Sequence, residues 1–322
     1  MTLRLQWRSF RFALLQPLRT AAGELRERSG WLLRLENDDG QVGWGEVAPL
    51  HVHQLDQCCE RITALPASLS RLQLDALLSG MPGALGFGLG AAVAELEGLV
   101  GRATVQGWLP APPSAALLPA GDAMLTSLAE LEARPCGLEG LTLKWKVATH
   151  PEPKERQLLL QLLTRLPGSA RLRLDANGGW DRPTARDWME ALLGDPRFGW
   201  LEQPLPPEDQ QGLDQLAAIG PVALDESLEK NPLLRQRWEG WQVRRPALDG
   251  DPRPLLCELQ NGIPRRMLST AFETGIGRRW LEHLAGLQVQ GPTPAAPGLA
   301  PGWRPSGALF SRDPEQVWQA AA

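Results

Sequence analysis

Beyond residue 114 the chain alternates between short strand-like segments and longer helix-like segments, and no other feature of the sequence restricts its fold as strongly. Such a repeat predicts parallel strands joined by crossover helices. With about eight units, a closed (β/α) barrel is favoured, and an open doubly wound sheet is the alternative. The strand-like segments are AALLPA, LTLKWKV, RLRLDA, GWLEQP, VALDES, GWQVRR, RRMLST and, as an eighth candidate, LQVQGP. Helices are predicted over KERQLLLQLLTRL, DRPTARDWMEALL and DQQGLDQLAAI.

The residues before this repeat have a different organisation. Residues 31–47, WLLRLENDDGQVGWGEV, predict two strands joined by a turn at Asp39 and Gly40. Two later stretches, LDQCCERITAL and FGLGAAVAELEGLVG, have the Ala and Leu spacing of helices. The proline-rich LPAPPSA at 109–115 is the predicted boundary between this α+β block and the repeat.

Charge and apolar patterning exclude several classes of protein. A net charge of -4 and a pI near 5.7 give no footprint for nucleic acid or an anionic membrane. No apolar run reaches the roughly 20 residues that span a bilayer, and arginines interrupt the apolar positions of the N-terminus, unlike a signal peptide. The four cysteines form no CxxC pair, which favours reduced thiols in a cytoplasmic protein. The histidines lack zinc-site spacing, so a solvated pair is favoured for His51 and His53.

Acidic residues stand at the ends of three successive predicted strands, where chemistry gathers in barrels of this type. Asp175, Glu202 and Asp225 are separated by 27 and then 23 residues, or one β-α unit each. Any one of them alone is better explained as a helix cap or a surface ion pair. Three in register would converge, and three ionised carboxylates side by side need a cation. Hard oxygen ligands with room for water favour Mg²⁺. Strand alternation also places Arg173 and Asn177 on the same face as Asp175.

Lysine is used sparingly in this chain, because only four of its 33 basic residues are lysines. Two of the four, Lys144 and Lys146, lie two residues apart in LTLKWKV and therefore share one face of a strand. A divalent cation and a second ammonium lower the pKa of a nearby lysine toward that of a general base. Arginine cannot take this role, since it stays protonated. We therefore expect both lysines to take part in chemistry.

These motifs together resemble those of the enolase superfamily. The matching residues are the KxK of LKWKV, the DxN of LDANGGW, the Glu of LEQPL and the Asp of LDES. The segment RSGWLLRLENDDGQVGWGEVAPL resembles the capping domain of the superfamily. LSTAFETGIG at 268–277 resembles the seventh-strand motif of one family within it, the o-succinylbenzoate synthases. The resemblance runs from about residue 19 to residue 277.

The resemblance implies an α/β fold, a (β/α)7β-type TIM barrel with an α+β N-terminal capping domain. The implied division is 1–108 for the capping domain, 109–299 for the catalytic barrel and 300–322 for a C-terminal segment that returns to the capping domain. It also implies that a loop around Arg19 to Arg28 closes over the site as a lid.

The superfamily shares a first step, in which a base removes a proton alpha to a carboxylate and Mg²⁺ stabilises the resulting enediolate. By resemblance, Asp175, Glu202 and Asp225 hold Mg²⁺, with Mn²⁺ as a possible replacement. Lys146, the second lysine of KxK, is the implied base. Lys144 is expected to polarise or hold the substrate carboxylate.

Other residues are implied to orient the substrate or the ligands. Arg173 and Asn177 have this role on the strand that ends in Asp175. Ser269 and Thr270, in the seventh-strand motif, are expected to line the substrate pocket. Glu226 is expected to pair with a neighbour rather than bind metal.

The o-succinylbenzoate synthases act on a succinyl-hydroxy-cyclohexadiene carboxylate and eliminate water syn to leave an aromatic ring, a step toward menaquinone or phylloquinone. One lysine can serve as base and then as acid in this reaction. The sixth strand of the superfamily normally ends in Lys-Pro, whereas VRRP places Arg245 at that lysine. A guanidinium can act as a cation over a π system but cannot transfer the proton, which argues against racemase relatives with bases on both faces. Arg244 should point the opposite way and form a salt bridge.

Two alternatives remain open. One is another one-base superfamily enzyme, such as a muconate-type cycloisomerase, and the other is a non-catalytic binding protein that has kept the ligands. The expected partner is a small-molecule carboxylate, with no nucleic acid and no membrane insertion. The oligomeric state cannot be read from the sequence, and a monomer is compatible with it.

Overall fold

The computed structural model describes residues 2–20, 23–101, 104 and 107–321, without the side chains of residues 18–20. The chain divides into two compact units, one formed by Met1–Pro112 and Arg244–Ala322 and the other by Pro113–Val243. The first boundary falls inside the proline-rich segment 109–115. The predicted division at residues 108 and 299 stays a prediction.

The N-terminal part of the first unit is a four-stranded antiparallel sheet in the order β3-β2-β1-β4. The predicted hairpin is confirmed as β2 and β3, and Gly40 in its turn has a φ of 75°, which favours glycine. The long strand β1 was missed by the sequence analysis, although its apolar and polar residues alternate. The strands are β1 (Thr2–Thr20), β2 (Gly23–Asn37), β3 (Val42–Val47) and β4 (Ser68–Ser70).

The segment expected to be a lid loop is instead largely strand. β1 and β2 pair as far as Arg19 with Glu24 and Thr20 with Gly23, with a register shift in β1 between Ala13 and Leu18. Arg28 lies within β2 and is buried. Residues 21 and 22 lie outside the described residues, so the predicted loop between Arg19 and Arg28 is corrected to the end of a hairpin. The pairing toward the end of the hairpin satisfies much of the backbone there, and the sequence read as a loop did not predict it.

One helix follows β3 and two follow β4, and two of these three helices were predicted. They are α1 (Val52–Ala64), α2 (Arg71–Leu78) and α3 (Gly83–Leu96). Helix α3 packs closely on β3. A Cβ atom added at Gly43 or Gly45 would lie only 1.9 Å from a carbonyl oxygen of the helix. Only glycine permits this approach, which explains the two glycines of VGWGE.

The second unit is built from repeated strand and helix pairs, as the sequence predicted. Its parallel strands lie in the order β10-β9-β8-β7-β6-β5. Large side chains such as Trp145 and Trp188 fill the core between the strands and the helices. The strands are β5 (Ala116–Leu118), β6 (Thr142–Lys146), β7 (Arg171–Asp175), β8 (Phe198–Glu202), β9 (Val222–Leu224) and β10 (Trp241–Arg244). The helices are α4 (Ala123–Glu132), α5 (Glu152–Arg165), α6 (Arg182–Leu192), α7 (Gln210–Ala217), α8 (Glu226–Lys230) and α9 (Leu234–Arg237).

The remaining part of the first unit begins at the end of β10. Its elements are α10 (Pro246–Asp249), α11 (Arg253–Gln260), β11 (Arg266–Leu268), α12 (Gly275–Gln290) and α13 (Pro314–Ala320). The predicted eighth strand, LQVQGP, is wrong. Its first four residues continue α12, which reaches Gln290 and is followed by Gly291, so the apolar Leu and Val belong to a helical pattern. A single parallel bridge between Ser269 and Gly298 lies beside β11.

None of the helices in the described part of the chain combines the length and apolar character needed to cross a bilayer.

A buried carboxylate joins β3 to the start of α12 within the first unit. Glu46 accepts hydrogen bonds from the backbone N–H of Thr274 at 3.0 Å and of Gly277 at 2.9 Å. These are two of the N–H groups that a helix leaves unpaired at its first turn, so Glu46 caps the helix from a distant strand. Burial raises the pKa of Glu46 to about 7, with the hydrogen bonds from Thr274 opposing the shift.

The raised pKa of Glu46 predicts how the unfolding free energy depends on pH. The folded protein holds the Glu46 proton up to about pH 7, while an unfolded glutamate loses it near pH 4.3. The unfolding free energy of the wild type should therefore fall, relative to Glu46→Gln, by about 3 kcal/mol as the pH rises across that range. Urea unfolding of both proteins at pH 4.5, 6 and 7.5 measures the difference. Parallel curves for the two proteins would contradict it.

Candidate active site

The strands β6, β7 and β8 end at the same level, and this register aligns the charged residues of the second unit. Lys146 pairs with Asp175, and Asp175 pairs with Glu202. The next strand, β9, ends one residue before Asp225. Because side chains alternate along a strand, Lys144, two residues before Lys146, lies on the same face of β6. The structure thus brings together the predicted base, its neighbouring lysine and the three predicted metal ligands, whose roles stay predictions.

Lys144 is the centre of this cluster. Its ammonium nitrogen lies 2.8 Å from Oδ2 of Asp175 and also forms a short ion pair with Glu202. Burial lowers the pKa of Lys144, but the charges of Asp175, Glu202 and Asp225 outweigh it and hold this pKa above its ordinary value. Lys144 is therefore a permanent cation in the protein, which suits it to hold a negative charge and not to accept a proton.

The carboxylates of the cluster differ in their protonation. Burial raises the pKa of Glu202. Burial acts the same way on Asp175, but Lys144 and then Lys146 reverse the effect and hold the pKa of Asp175 below its ordinary value. Burial and the neighbouring carboxylates raise the pKa of Glu226 to about 7. Four acids packed this closely repel one another, so the cluster favours additional positive charge.

The backbone is strained immediately after each of these three strands. Ala148, Asn177 and Gln203 follow β6, β7 and β8 and have φ values of 61°, 46° and 38°. A non-glycine residue adopts this left-handed conformation at a cost of about 1–3 kcal/mol, and such residues are frequent at functional sites. Each strand therefore turns sharply just beyond its charged residue.

Two side-chain amides at these turns hold the segment that carries Asp225. Nδ2 of Asn177 donates to Oε1 of Glu226 at 2.8 Å, so Glu226 pairs with a neighbour as expected. Gln203 is fully buried and hydrogen-bonds to the backbone of the same segment. The sequence analysis did not predict a role for Gln203. The one feature of the sequence that points to Gln203 is its position directly after Glu202 in LEQPL. The predicted contact of Asn177 with substrate stays a prediction.

Arg173 lies within the second unit on β7, two residues before Asp175 and on the same face of the strand. Its guanidinium lies over the ring of Trp200 at 3.9 Å, and Trp200 stacks on Trp241 with ring centroids 4.4 Å apart. Burial lowers the pKa of Arg173 to about 9. The side chain is 3% exposed, so the structure supports a role in packing under the cluster. Its predicted contact with substrate stays a prediction.

The donor set suits a hard divalent cation. Among the described residues, no three Asp, Glu, His or Cys side chains are grouped as metal ligands. Asp175 and Glu202 instead contact the Lys144 ammonium. Carboxylate oxygens are nevertheless the ligands that Mg²⁺ prefers. One of them, Oε2 of Glu226, is buried and has no hydrogen-bond partner. The residues therefore fit Mg²⁺ in their chemistry and charge.

The other predicted site residues lie in the first unit. Nη1 of Arg245 is 3.4 Å from the carbonyl oxygen of Thr270, so these two are neighbours. The hydroxyl of Thr270 donates to Glu273 at 2.6 Å, and the N–H of Ser269 donates to the carbonyl of Arg244 at 2.8 Å. Arg244 forms the expected salt bridges, at 2.7 Å to Asp249 and 3.5 Å to Glu258. Its structural role is confirmed, whereas the substrate contacts of Ser269 and Thr270 stay predictions.

Comparison with known proteins identifies relatives over nearly the whole chain. Residues 137–236 match the family model described as enolase C-terminal domain-like. The o-succinylbenzoate synthase of Thermosynechococcus vestitus is 38% identical over 295 residues, which cover 88% of this chain and 88% of that protein. A second relative, the o-succinylbenzoate synthase of Enterobacter sp., is 32% identical over 64% of this chain and 61% of its own length.

Solved structures agree with these relatives. The crystal structure of o-succinylbenzoate synthase from Thermosynechococcus elongatus BP-1, complexed with Mg in its active site, has a TM-score of 0.81 and 35% identity, and covers 98% of this chain and 99% of that one. Muconate lactonizing enzyme from Pseudomonas fluorescens has a TM-score of 0.69 at 21% identity, covers 99% of this chain and 98% of its own, and is similar in fold alone. The predicted fold class, a (β/α)7β-type barrel with a capping domain, is confirmed. The chain belongs to the o-succinylbenzoate synthase family of the enolase superfamily.

Proposed function

We propose that the protein catalyses the syn dehydration of 2-succinyl-6-hydroxy-2,4-cyclohexadiene-1-carboxylate to o-succinylbenzoate with the aid of Mg²⁺, a step toward menaquinone or phylloquinone. The observation that carries the proposal is the meeting of two lysines and three carboxylates at the aligned ends of adjacent parallel strands. The relative that is 35% identical holds Mg in its active site, which supports the choice of metal.

Asp225, Glu202 and Asp175 would hold the Mg²⁺ ion. When bound there, Mg²⁺ would supply positive charge that stabilises the negative charge developing on the substrate carboxylate as the neighbouring proton leaves. The carboxylates of the chain would contribute oxygen ligands.

Lys146 moves the proton. Its neutral amine takes the proton from the carbon alpha to the substrate carboxylate, and it returns a proton to the hydroxyl group on the neighbouring carbon as the C–O bond breaks. Water leaves, the ring becomes aromatic, and the amine is neutral again. Both events occur on one face of the ring, so one base is sufficient. Lys144, which the carboxylates keep protonated, holds the substrate carboxylate.

Arg245 is the part of the proposal that separates dehydration from racemisation. Its guanidinium stays protonated at neutral pH and cannot serve as the second base that a 1,1-proton transfer needs. A cation suffices in the dehydration, since it stabilises the electron-rich ring intermediate.

The Arg245 role can be tested by comparing two substitutions. Arg245→Met should lower kcat about 10²-fold because it removes a positive charge from the transition state. Arg245→Lys keeps the charge and should stay within tenfold of the wild type. Steady-state assays of the dehydration measure both. Equal activity of the methionine variant and the wild type would contradict the role.

The reaction itself is tested by incubating the purified protein with the cyclohexadiene substrate and Mg²⁺, and following formation of the aromatic product by absorbance. We expect turnover that a chelator abolishes and added Mg²⁺ or Mn²⁺ restores. Absence of dehydration, with cycloisomerisation of a muconate instead, would favour the alternative one-base enzyme. Binding of the substrate without turnover would favour a non-catalytic protein.

The cellular setting is part of the proposal. We place the protein in the cytoplasm, where its four unpaired thiols would remain reduced. Its partner is the small-molecule carboxylate, and its oligomeric state stays open, a monomer being compatible with the sequence. Size-exclusion chromatography with light scattering tests the last point against the mass of 35.3 kDa.

A further inference from the structure

The turn after β9, which carries Asp225, is fixed by a side chain from the end of β8. Oε1 of Gln203 accepts hydrogen bonds from the backbone N–H of Asp225 at 3.2 Å and of Ser227 at 3.0 Å. Nε2 of Gln203 donates to Oγ of Ser227 at 2.7 Å and to the carbonyl oxygen of Leu205 at 2.9 Å. The two donors and the two acceptor sites of the amide are therefore all used.

Gln203 links two of the proposed metal ligands. It follows Glu202 directly and bonds to the N–H of Asp225, so a single residue connects the two carboxylates that come from neighbouring strands. Its φ of 38° places the backbone in the left-handed region, which costs free energy for a residue other than glycine. The four hydrogen bonds offset this cost and fix the turn in one arrangement.

An amide fits the four partners of Gln203, whereas an ionised carboxylate does not. Its oxygen faces two N–H donors, and its nitrogen faces a hydroxyl and a carbonyl oxygen. An ionised glutamate could not donate to the carbonyl of Leu205, and an apolar side chain would leave buried polar groups unpaired. Gln203 is 0% exposed, so it does not touch a ligand itself.

We infer that Gln203 is a positioning residue that sets the spacing of Glu202 and Asp225 for a divalent cation. The inference rests on the proposed function, since it takes these two carboxylates as metal ligands. Partners around the ligands of a metal site orient them, and their loss typically weakens metal binding 10- to 100-fold. Gln203 contributes to affinity through the turn, without binding the metal.

A matched control lies two strands away. Gln242 in β10 is also 0% exposed, and its Nε2 donates to the carbonyl oxygens of Arg235 at 3.0 Å and Trp238 at 3.1 Å. Gln242→Met and Gln203→Met remove the same buried amide and replace it with a side chain of similar length. Both should lower the urea midpoint, so loss of stability alone does not separate them.

The separating measurement is Mg²⁺ binding by isothermal titration calorimetry, without substrate. We expect Gln203→Met to raise the dissociation constant 10- to 100-fold and Gln242→Met to leave it within twofold. Ser227→Ala, which removes one of the four partners of Gln203, should raise it several-fold and serves if Gln203→Met does not fold. At saturating Mg²⁺, Gln203→Met should recover most of the wild-type kcat.

Two results have different meanings. A wild-type protein that binds no Mg²⁺ would contradict the proposed function. A wild type that binds Mg²⁺, together with Gln203→Met and Ser227→Ala proteins that bind it equally well, would overturn the positioning role alone.

Discussion

Lys146→Met should lower kcat for the dehydration about 10⁴-fold, the upper range for loss of a general base. Lys146 pairs in register with Asp175 at the ends of β6 and β7, and methionine keeps the length of its side chain while removing the basic nitrogen. No lysine other than Lys144 lies on the same strand, and the carboxylates hold Lys144 protonated, so it cannot replace the base. Single-turnover and steady-state assays at saturating Mg²⁺ measure the loss.

Lys154→Met is the matched control for this substitution. Lys154 lies on α5, where its half-exposed side chain forms an ion pair with Asp122 at 2.6 Å. An exposed pair of this kind contributes less than about 1 kcal/mol, so the control should keep full activity. Mg²⁺ affinity should be measured for both variants, because the base is not a metal ligand. A Lys146→Met protein that is folded, binds Mg²⁺ and retains kcat within tenfold of the wild type would remove Lys146 from the mechanism.

The chemical residues were predictable because their positions obey two local rules. Side chains alternate along a strand, and the ends of successive parallel strands meet at one edge. These rules suffice to bring Lys144, Asp175 and Glu202 together, and the structure places them in contact. The predicted helices and most of the predicted strands follow from apolar periodicity in the same way.

The supporting residues were not predictable, since their roles exist only in the folded chain. Glu46 contacts Thr274, which is 228 positions away, and no local pattern links a strand carboxylate to that helix. Gln203 has four partners that the turns after β8 and β9 bring together. The prediction of a strand at LQVQGP was wrong for a related reason, because a short apolar run does not by itself distinguish a strand from the end of a helix.

Lys144→Met should destabilise the metal-free protein by about 3–5 kcal/mol at pH 8, the usual cost of removing one partner from a buried ion pair. Asp175 and Glu202 are 5% and 0% exposed at their side chains, and both contact the Lys144 ammonium. Without it, Asp175 and Glu202 lose the ammonium that both contact, while Lys146 still opposes the burial of Asp175. Urea unfolding in a chelator measures the change. Lys230→Met, which removes an exposed ion pair with Glu208, is the control and should cost less than about 1 kcal/mol.

The pH dependence of this variant identifies the cause of its instability. Lys144 and then Lys146 oppose burial and lower the pKa of Asp175 in the folded wild type, so their stabilisation is present above the unfolded pKa and is lost as the pH falls through the folded one. The difference between wild type and variant should therefore shrink below about pH 4. Mg²⁺ at 100 times its dissociation constant should restore about 2.7 kcal/mol, because it binds only the folded state. A deficit that is the same at every pH would mean that Lys144 stabilises the protein by packing alone.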